Sequence, residues 1–167
     1  MTTREAILQA LAAMLATVPE FFPPVAIDEP EPKAWSPLGG AGDDARTFHA
    51  AAVQDGPPPD HLGFVRGGPG GDELELEAAI AYAVQYQPGP GDSTEKAREI
   101  RRAIRDRAAP IVAALIAADR TLGLAPDVWA EVAPAQREDD VSFANAVPTA
   151  TAVIPVRVLY TADHPAA

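Results

Sequence analysis

Glu73-Leu74-Glu75-Leu76-Glu77-Ala78-Ala79-Ile80-Ala81-Tyr82-Ala83-Val84-Gln85-Tyr86-Gln87 decides the fold. Leu74, Leu76, Ala78, Ile80, Tyr82, Val84 and Tyr86 take every second position, and glutamate, alanine or glutamine takes the alternate ones. That is the period of a strand with one buried face, whereas a helix needs its apolar groups three and four apart. A slip of one residue would turn every large side chain into water, so the register is strongly specified. The stretch is therefore expected to be the central strand of an antiparallel sheet packed on one face. At full extension it spans about 45–50 Å, so it either bends near Ala78-Ala79 or projects beyond the domain.

Outward from this strand, both flanks read as helix and further strands. Thr2 and Glu5 have the spacing of a capping box, and Ile7, Leu8, Leu11, Leu15 and Val18 follow as one apolar stripe before Pro19. Val25 and Ile27 suggest a short strand, Thr47–Gln54 a second and Leu62–Arg66 a third. Between them the glycine and proline clusters at 39–42, 57–59 and 67–71 are loop signals. The last cluster leads into the long strand rather than into a helix, so it is expected to be a hairpin connection, not a phosphate cradle.

Pro88-Gly89-Pro90-Gly91 ends the long strand, and Asp92 with Glu95 offers a second capping box. The helix that follows is expected to reach Ala118, burying Ala97, Ile100, Ile104, Ala108, Ile111 and Leu115, with a kink or break near Ala109 because of Pro110. Gly123 suits a left-handed cap. Val128–Ala133 reads as a strand with Trp129 on the side opposite Val128, Ala130 and Val132, and burial is the first expectation for the indole. Ala135–Asn145 is polar and reads as a turn or arm. Thr149–Thr161 is the final strand, with Ala152, Ile154, Val156, Val158 and Tyr160 inward and Pro155 marking an open edge or bulge.

The pattern as a whole predicts an α+β fold: a mainly antiparallel sheet packed on one face by two helices, with long Pro/Gly-rich loops. The expected organisation is one domain over 1–161, carrying a Pro/Gly-rich insertion over 33–71 and a tail over 162–167. Of the 167 residues 35 are alanine, so the core is modest despite a 47% hydrophobic content. No cysteine occurs, which removes disulfides and thiolate metal sites from the possibilities. A net charge of −11 argues against general affinity for nucleic-acid phosphates. No apolar run approaches the roughly 20 residues that span a bilayer, and no membrane partner is expected.

Candidate chemistry is sparse. His49, His61 and His164 are expected in a strand, a loop and the tail, with no ligand spacing among them. Ser36, Ser93 and Ser142 lack the strand-to-helix turn that presents a nucleophile. Neither catalytic, metal nor cofactor residues are assigned. Glu73, Glu75 and Glu77 stand on one side of the long strand, most simply as solvated carboxylates. Six of the thirteen basic residues fall in Lys96–Arg107, among them Arg98, Arg101, Arg102 and Arg105, interleaved with Glu95, Glu99 and Asp106. Glu95–Arg98 and Glu99–Arg102 have i,i+3 spacing, which suits a solvated helix face. The sharper alternative is that the arginines meet an acidic surface on a neighbouring copy.

The segment Ala113-Ala114-Leu115-Ile116-Ala117-Ala118-Asp119-Arg120-Thr121-Leu122-Gly123, the strand around Trp129, and the ending Ile154-Pro155-Val156-Arg157-Val158-Leu159-Tyr160-Thr161 carry a resemblance. Together with the helix opening Met1–Leu15, they resemble tail terminator proteins of long-tailed bacteriophages and related phage-like particles. Arg120 departs from the proline common there, and the 33–71 segment is expanded. The resemblance implies a structural, non-enzymatic virion protein that forms a ring, six subunits in known members. Such a ring caps the head-proximal end of the tail, ends tube polymerisation and offers the joining surface to the head. The implied partners are further copies of the chain, the tail tube protein and a head-completion or connector protein, with DNA only as passing cargo and assembly in the host cytoplasm. Arg98, Arg101, Arg102, Arg105, Glu73, Glu75, Glu77 and Trp129 are the candidate subunit or partner contacts. Other readings are another head-tail connector or tail component, a small-ligand-binding α+β domain, or an enzyme with no recognised motif.

Overall fold

In the computed structural model the long stretch is strand β5, Asp72–Tyr86, and it pairs along nearly its whole length with an equally long antiparallel strand, β8, Pro148–Ala162. The structure describes residues 2–28, 34–38, 46–56, 61–62, 72–143 and 147–162. Pairing runs without a register shift from Asp72 opposite Ala162 to Gln85 opposite Thr149. Ala162, expected to open the tail, thus still belongs to the strand.

Around this two-stranded spine the other elements are helix α1 (Thr3–Leu15), strands β1 (Ala26–Ile27), β2 (Ser36–Pro37), β3 (Thr47–Asp55) and β4 (His61–Leu62), helices α2 (Thr94–Arg105) and α3 (Ala108–Ala118), and strands β6 (Trp129–Val132) and β7 (Gln136–Ser142). They form an eight-stranded sheet. Strands β3 and β4 flank β5, and β6 and β7 flank β8. Strand β1 joins β3 in parallel and β2 joins it antiparallel. The fold is α+β, as the alternation predicted. Strand β4 covers the start of the strand expected at 62–66, whose remainder lies outside the described residues, as do the glycine and proline clusters and residues 163–167. No helix among the described residues is long and apolar enough to cross a membrane.

Leu76, Ala78, Ile80, Tyr82 and Val84 all face the core, joined by Ala51 and Val53 from β3 and by Ile154, Val156, Val158 and Tyr160 from β8. Ile7, Leu8, Leu11 and Leu15 of α1 and Ala108, Val112 and Ile116 of α3 close that face. The capping box of α1 is present in both directions. Phe21 and Phe22 are buried against Tyr82, with Phe21 stacked on its ring at 5.1 Å.

Several local expectations shift. The opposite face of the sheet is not wholly solvated: Ala50, Ala52, Ala83, Gln85 and Thr149 are buried there. Gln85 Nε2 donates to Thr149 Oγ1 at 3.1 Å, and Val141 and Phe143 line a groove over Ala81, Ala83 and Thr151. The long helix is two helices, as the expected kink or break near Ala109 allowed, and they meet at Asp106–Arg107. Pro110 is therefore in the first turn of α3, where a missing N–H has no intrahelical partner to lose. The break rotates the buried stripe of α2 to Ala97, Arg101 and Arg105, leaving Ile100 and Ile104 half-buried. Ile111 and Leu115 are likewise only half-buried, because Val112 and Ile116 take the inward positions. Helix α3 ends at Ala118 with Asp119 as its C-cap, so Gly123, at φ 68°, closes the following turn and does not cap the helix.

Pro155 is not at an outer edge. Its carbonyl accepts from Ala133 N at 3.0 Å, so its nitrogen faces the same side, where β8 changes partner from β6 to β7. The absent donor falls in a gap in the ladder.

Candidate functional site: the arginine helix and the tryptophan corner

Helix α2 starts one residue later than its acidic spacing suggested. Ser93, in extended conformation, accepts from Lys96 N at 3.1 Å and is the N-cap. Asp92 turns back instead, accepting from Lys96 Nζ at 2.8 Å, Gly89 N at 2.8 Å and Tyr86 Oη at 3.0 Å. These donors, Lys96 foremost, hold the Asp92 carboxyl down to about 2.

The arginines of α2 meet an acidic surface within their own chain. Residues expected as a turn or arm are strand β7, whose antiparallel pairing with β8 is shifted between Glu138 and Val141. A polar, exposed edge strand shows little apolar alternation, which is why its sequence hid it. At the shift Asp140 takes a left-handed backbone, φ 54°, which short polar side chains tolerate. Its carboxylate thereby accepts from Arg98 Nε at 3.0 Å and from Arg101 Nη2 at 2.8 Å. Arg98 also reaches Glu95 at 3.2 Å, the i,i+3 pair read from the sequence. The second such pair is replaced: Arg102 turns to Asp139, Nε to Oδ2 3.0 Å, off the line of a hydrogen bond, so the contact is coulombic. Arg105 pairs with Asp139, donates to the Glu138 carbonyl at 3.1 Å and to Asp106 at 2.9 Å. Arg101 and Arg105 are 4% and 5% exposed, so neither is a solvated surface charge.

Beside Arg98 and Arg101 a cleft of about 410 Å³ opens between α2 and the ends of β5 and β8. It is lined by Tyr86, Pro88, Ala97, Val147 and Pro148 together with the carboxylates of Asp92 and Asp140. Among the described residues Arg101 has Asp140 as its one partner, so its remaining N–H donors are uncommitted inside this cleft.

At the opposite end of the spine, on the sheet face turned away from α1 and α3, stands an acidic corner. Glu75 holds Arg157 through two 2.8 Å hydrogen bonds, which, with its charge, raise the arginine's pKa, and Glu131 and Glu77 add to that field. Glu73 is the next residue on the same face of β5, and Glu77 and Glu131 are exposed. Carboxylates thus outnumber the local guanidinium. Trp129 belongs to this corner and is 45% exposed, contrary to the expected burial. Val128 and Ala130 take the inward positions, which puts the indole on the outer face, opposite Leu159. Its Nε1 donates to Glu131 at 3.1 Å, and the Arg120 guanidinium stands 5.2 Å from the ring centroid.

His49 lies apart from both places. It is buried in β3, with Nδ1 2.9 Å from Tyr82 Oη. Burial pushes its pKa down to about 4 and pushes the Tyr82 phenol up. His61 is in β4 and His164 is outside the described residues. Among the described residues no three His, Asp or Glu side chains gather as a metal site. Comparison with protein-family models and with curated proteins finds no match to this chain.

Proposed function

We propose that this protein is a structural component of a phage-like particle that closes into a ring at the head-proximal end of a tail tube, ends tube growth and presents the surface to which the head is joined. The observation that carries this reading is the order of elements on which the resemblance rests. An opening amphipathic helix, a long central strand, a helix followed by the turn Asp119-Arg120-Thr121-Leu122-Gly123, the Trp129 strand and a last strand running through Leu159-Tyr160-Thr161 belong to one α+β unit. In the proposed assembly the partners are further copies of the chain, six to a ring, then the tube protein on one side and a head-completion protein on the other, with DNA passing through. A ring of identical subunits repeats one contact between two different patches until it closes. An arginine-lined cleft and a tryptophan-bearing acidic corner are two such unlike patches.

The test is the solution mass of the full chain across a concentration series, by light scattering after size exclusion, with negative-stain images of the same fractions. The proposal expects rings, either spontaneously or once tail tubes are added. A chain that stays single and caps no tube overturns it.

A further inference from the structure

We infer that the cleft beside Arg98 and Arg101 is a socket for the Trp129–Glu131 corner of a second copy of this chain, an inference that rests on the ring reading. The two places differ in every respect that matters for a heterologous contact. The socket has apolar walls in Pro88, Val147 and Pro148, and beside the carboxylates of Asp92 and Asp140 it holds the Arg98 and Arg101 donors left over once Asp140 and Glu95 have accepted theirs. The corner carries the most exposed large hydrophobic side chain among the described residues, and Glu131, already bonded to the indole nitrogen, moves with it. An indole seated between prolines with a carboxylate delivered to a guanidinium is the pairing typical of interface hot spots.

Charge favours the same match. A chain of net charge −11 repels its copies on average, so self-association needs a place where opposite charges meet. Glu73, Glu75, Glu77 and Glu131 outnumber Arg157 and Arg120 and give the corner its excess of negative charge. Nor can one molecule satisfy itself. Trp129 is opposite Leu159, whereas the socket is at Pro148, which places them about 35 Å apart along the same strand. Corner and socket at opposite ends of one spine can pair only between molecules, which propagates head to tail into a closed ring or an open filament.

The experiment uses Trp129→Ala, with a damaged corner and an intact socket, and Arg98→Glu, with the reverse. Each full-length chain is examined alone and in an equimolar mixture by light scattering after size exclusion, with and without tail tubes, and circular dichroism verifies folding. Expected is weaker assembly for each variant alone, by at least about tenfold in the midpoint concentration. The mixture should stop at two chains, because only one intact contact can form per pair. If Arg98→Glu proves unfolded, Arg98→Ala carries the same expectation. Variants that assemble as the wild type, or a mixture that reaches full rings, overturn the socket while leaving the ring reading standing. A wild-type chain that never assembles, with or without tubes, overturns both.

Discussion

His49 shows how much one residue's chemistry depends on what surrounds it. In sequence it was one of three scattered histidines; in the fold it is a neutral ring bonded to Tyr82 within an aromatic group that includes Phe21 and Phe22. With its folded value near 4 and an unfolded value near 6.5, the unfolded chain binds the extra proton between those two pH values. Stability contributed by the buried neutral ring is therefore whole above about 6.5 and drains away as pH falls toward 4. His49→Gln removes the titration while keeping polar atoms in place. Urea denaturation should show the stability gap between wild type and this variant narrowing by about 2 kcal/mol from about pH 7 to about pH 5. A gap that does not change with pH would mean that His49 is protonated as readily in the fold as out of it. Nothing in the string Thr47-Phe48-His49-Ala50 announces the Tyr82 hydroxyl, because that partner comes from a strand more than thirty residues away.

Elements were legible where burial imposes a period. The long strand and the final strand appear within a residue of their expected bounds, and α1 begins at its expected cap but ends at Leu15, short of Val18; each buries alternate or three-to-four-spaced side chains against one core. Strand β7 was not legible, because it is held by charge and ladder bonds instead of by an apolar face. The acidic run Glu138-Asp139-Asp140 was its one signal, meaningful only once placed against the arginines of α2. Asp140→Asn keeps the shape and the tolerance for a left-handed backbone but removes the charge that faces Arg98 and Arg101. Since Arg101 is nearly buried and Asp140 is half exposed, the expected cost is about 1 kcal/mol. It should appear as a lower urea midpoint at low salt and a smaller difference from wild type at high salt. An unchanged midpoint would show that β7 is held by its pairing with β8 alone.

At the scale of the whole molecule, the excess of negative charge and the location of the unpaired positive donors become one question. Under the proposed contact, salt has two opposing effects: it screens the general repulsion between chains of charge −11 and it weakens the specific match of Glu131 to Arg98 and Arg101. For the Arg98→Glu chain the new carboxylate opposes what Arg101 still offers and repulsion dominates, so added salt should restore part of its assembly, while the wild type gains less or loses. Light scattering of both chains between about 0.05 and about 0.5 M salt checks this, at ionic strengths whose screening lengths fall from above to below 10 Å. Equal salt responses would mean that the arginine takes no part in the contact. The sequence by itself determined the class of fold, the face that each long strand buries and the absence of thiol chemistry, because side-chain alternation and composition are local properties of the chain. Which carboxylates meet the arginines of α2, that Trp129 looks outward, and that socket and corner lie at opposite ends of one spine were decided only by the tertiary structure. Those facts depend on register and packing between segments far apart in the chain, and no local pattern encodes them.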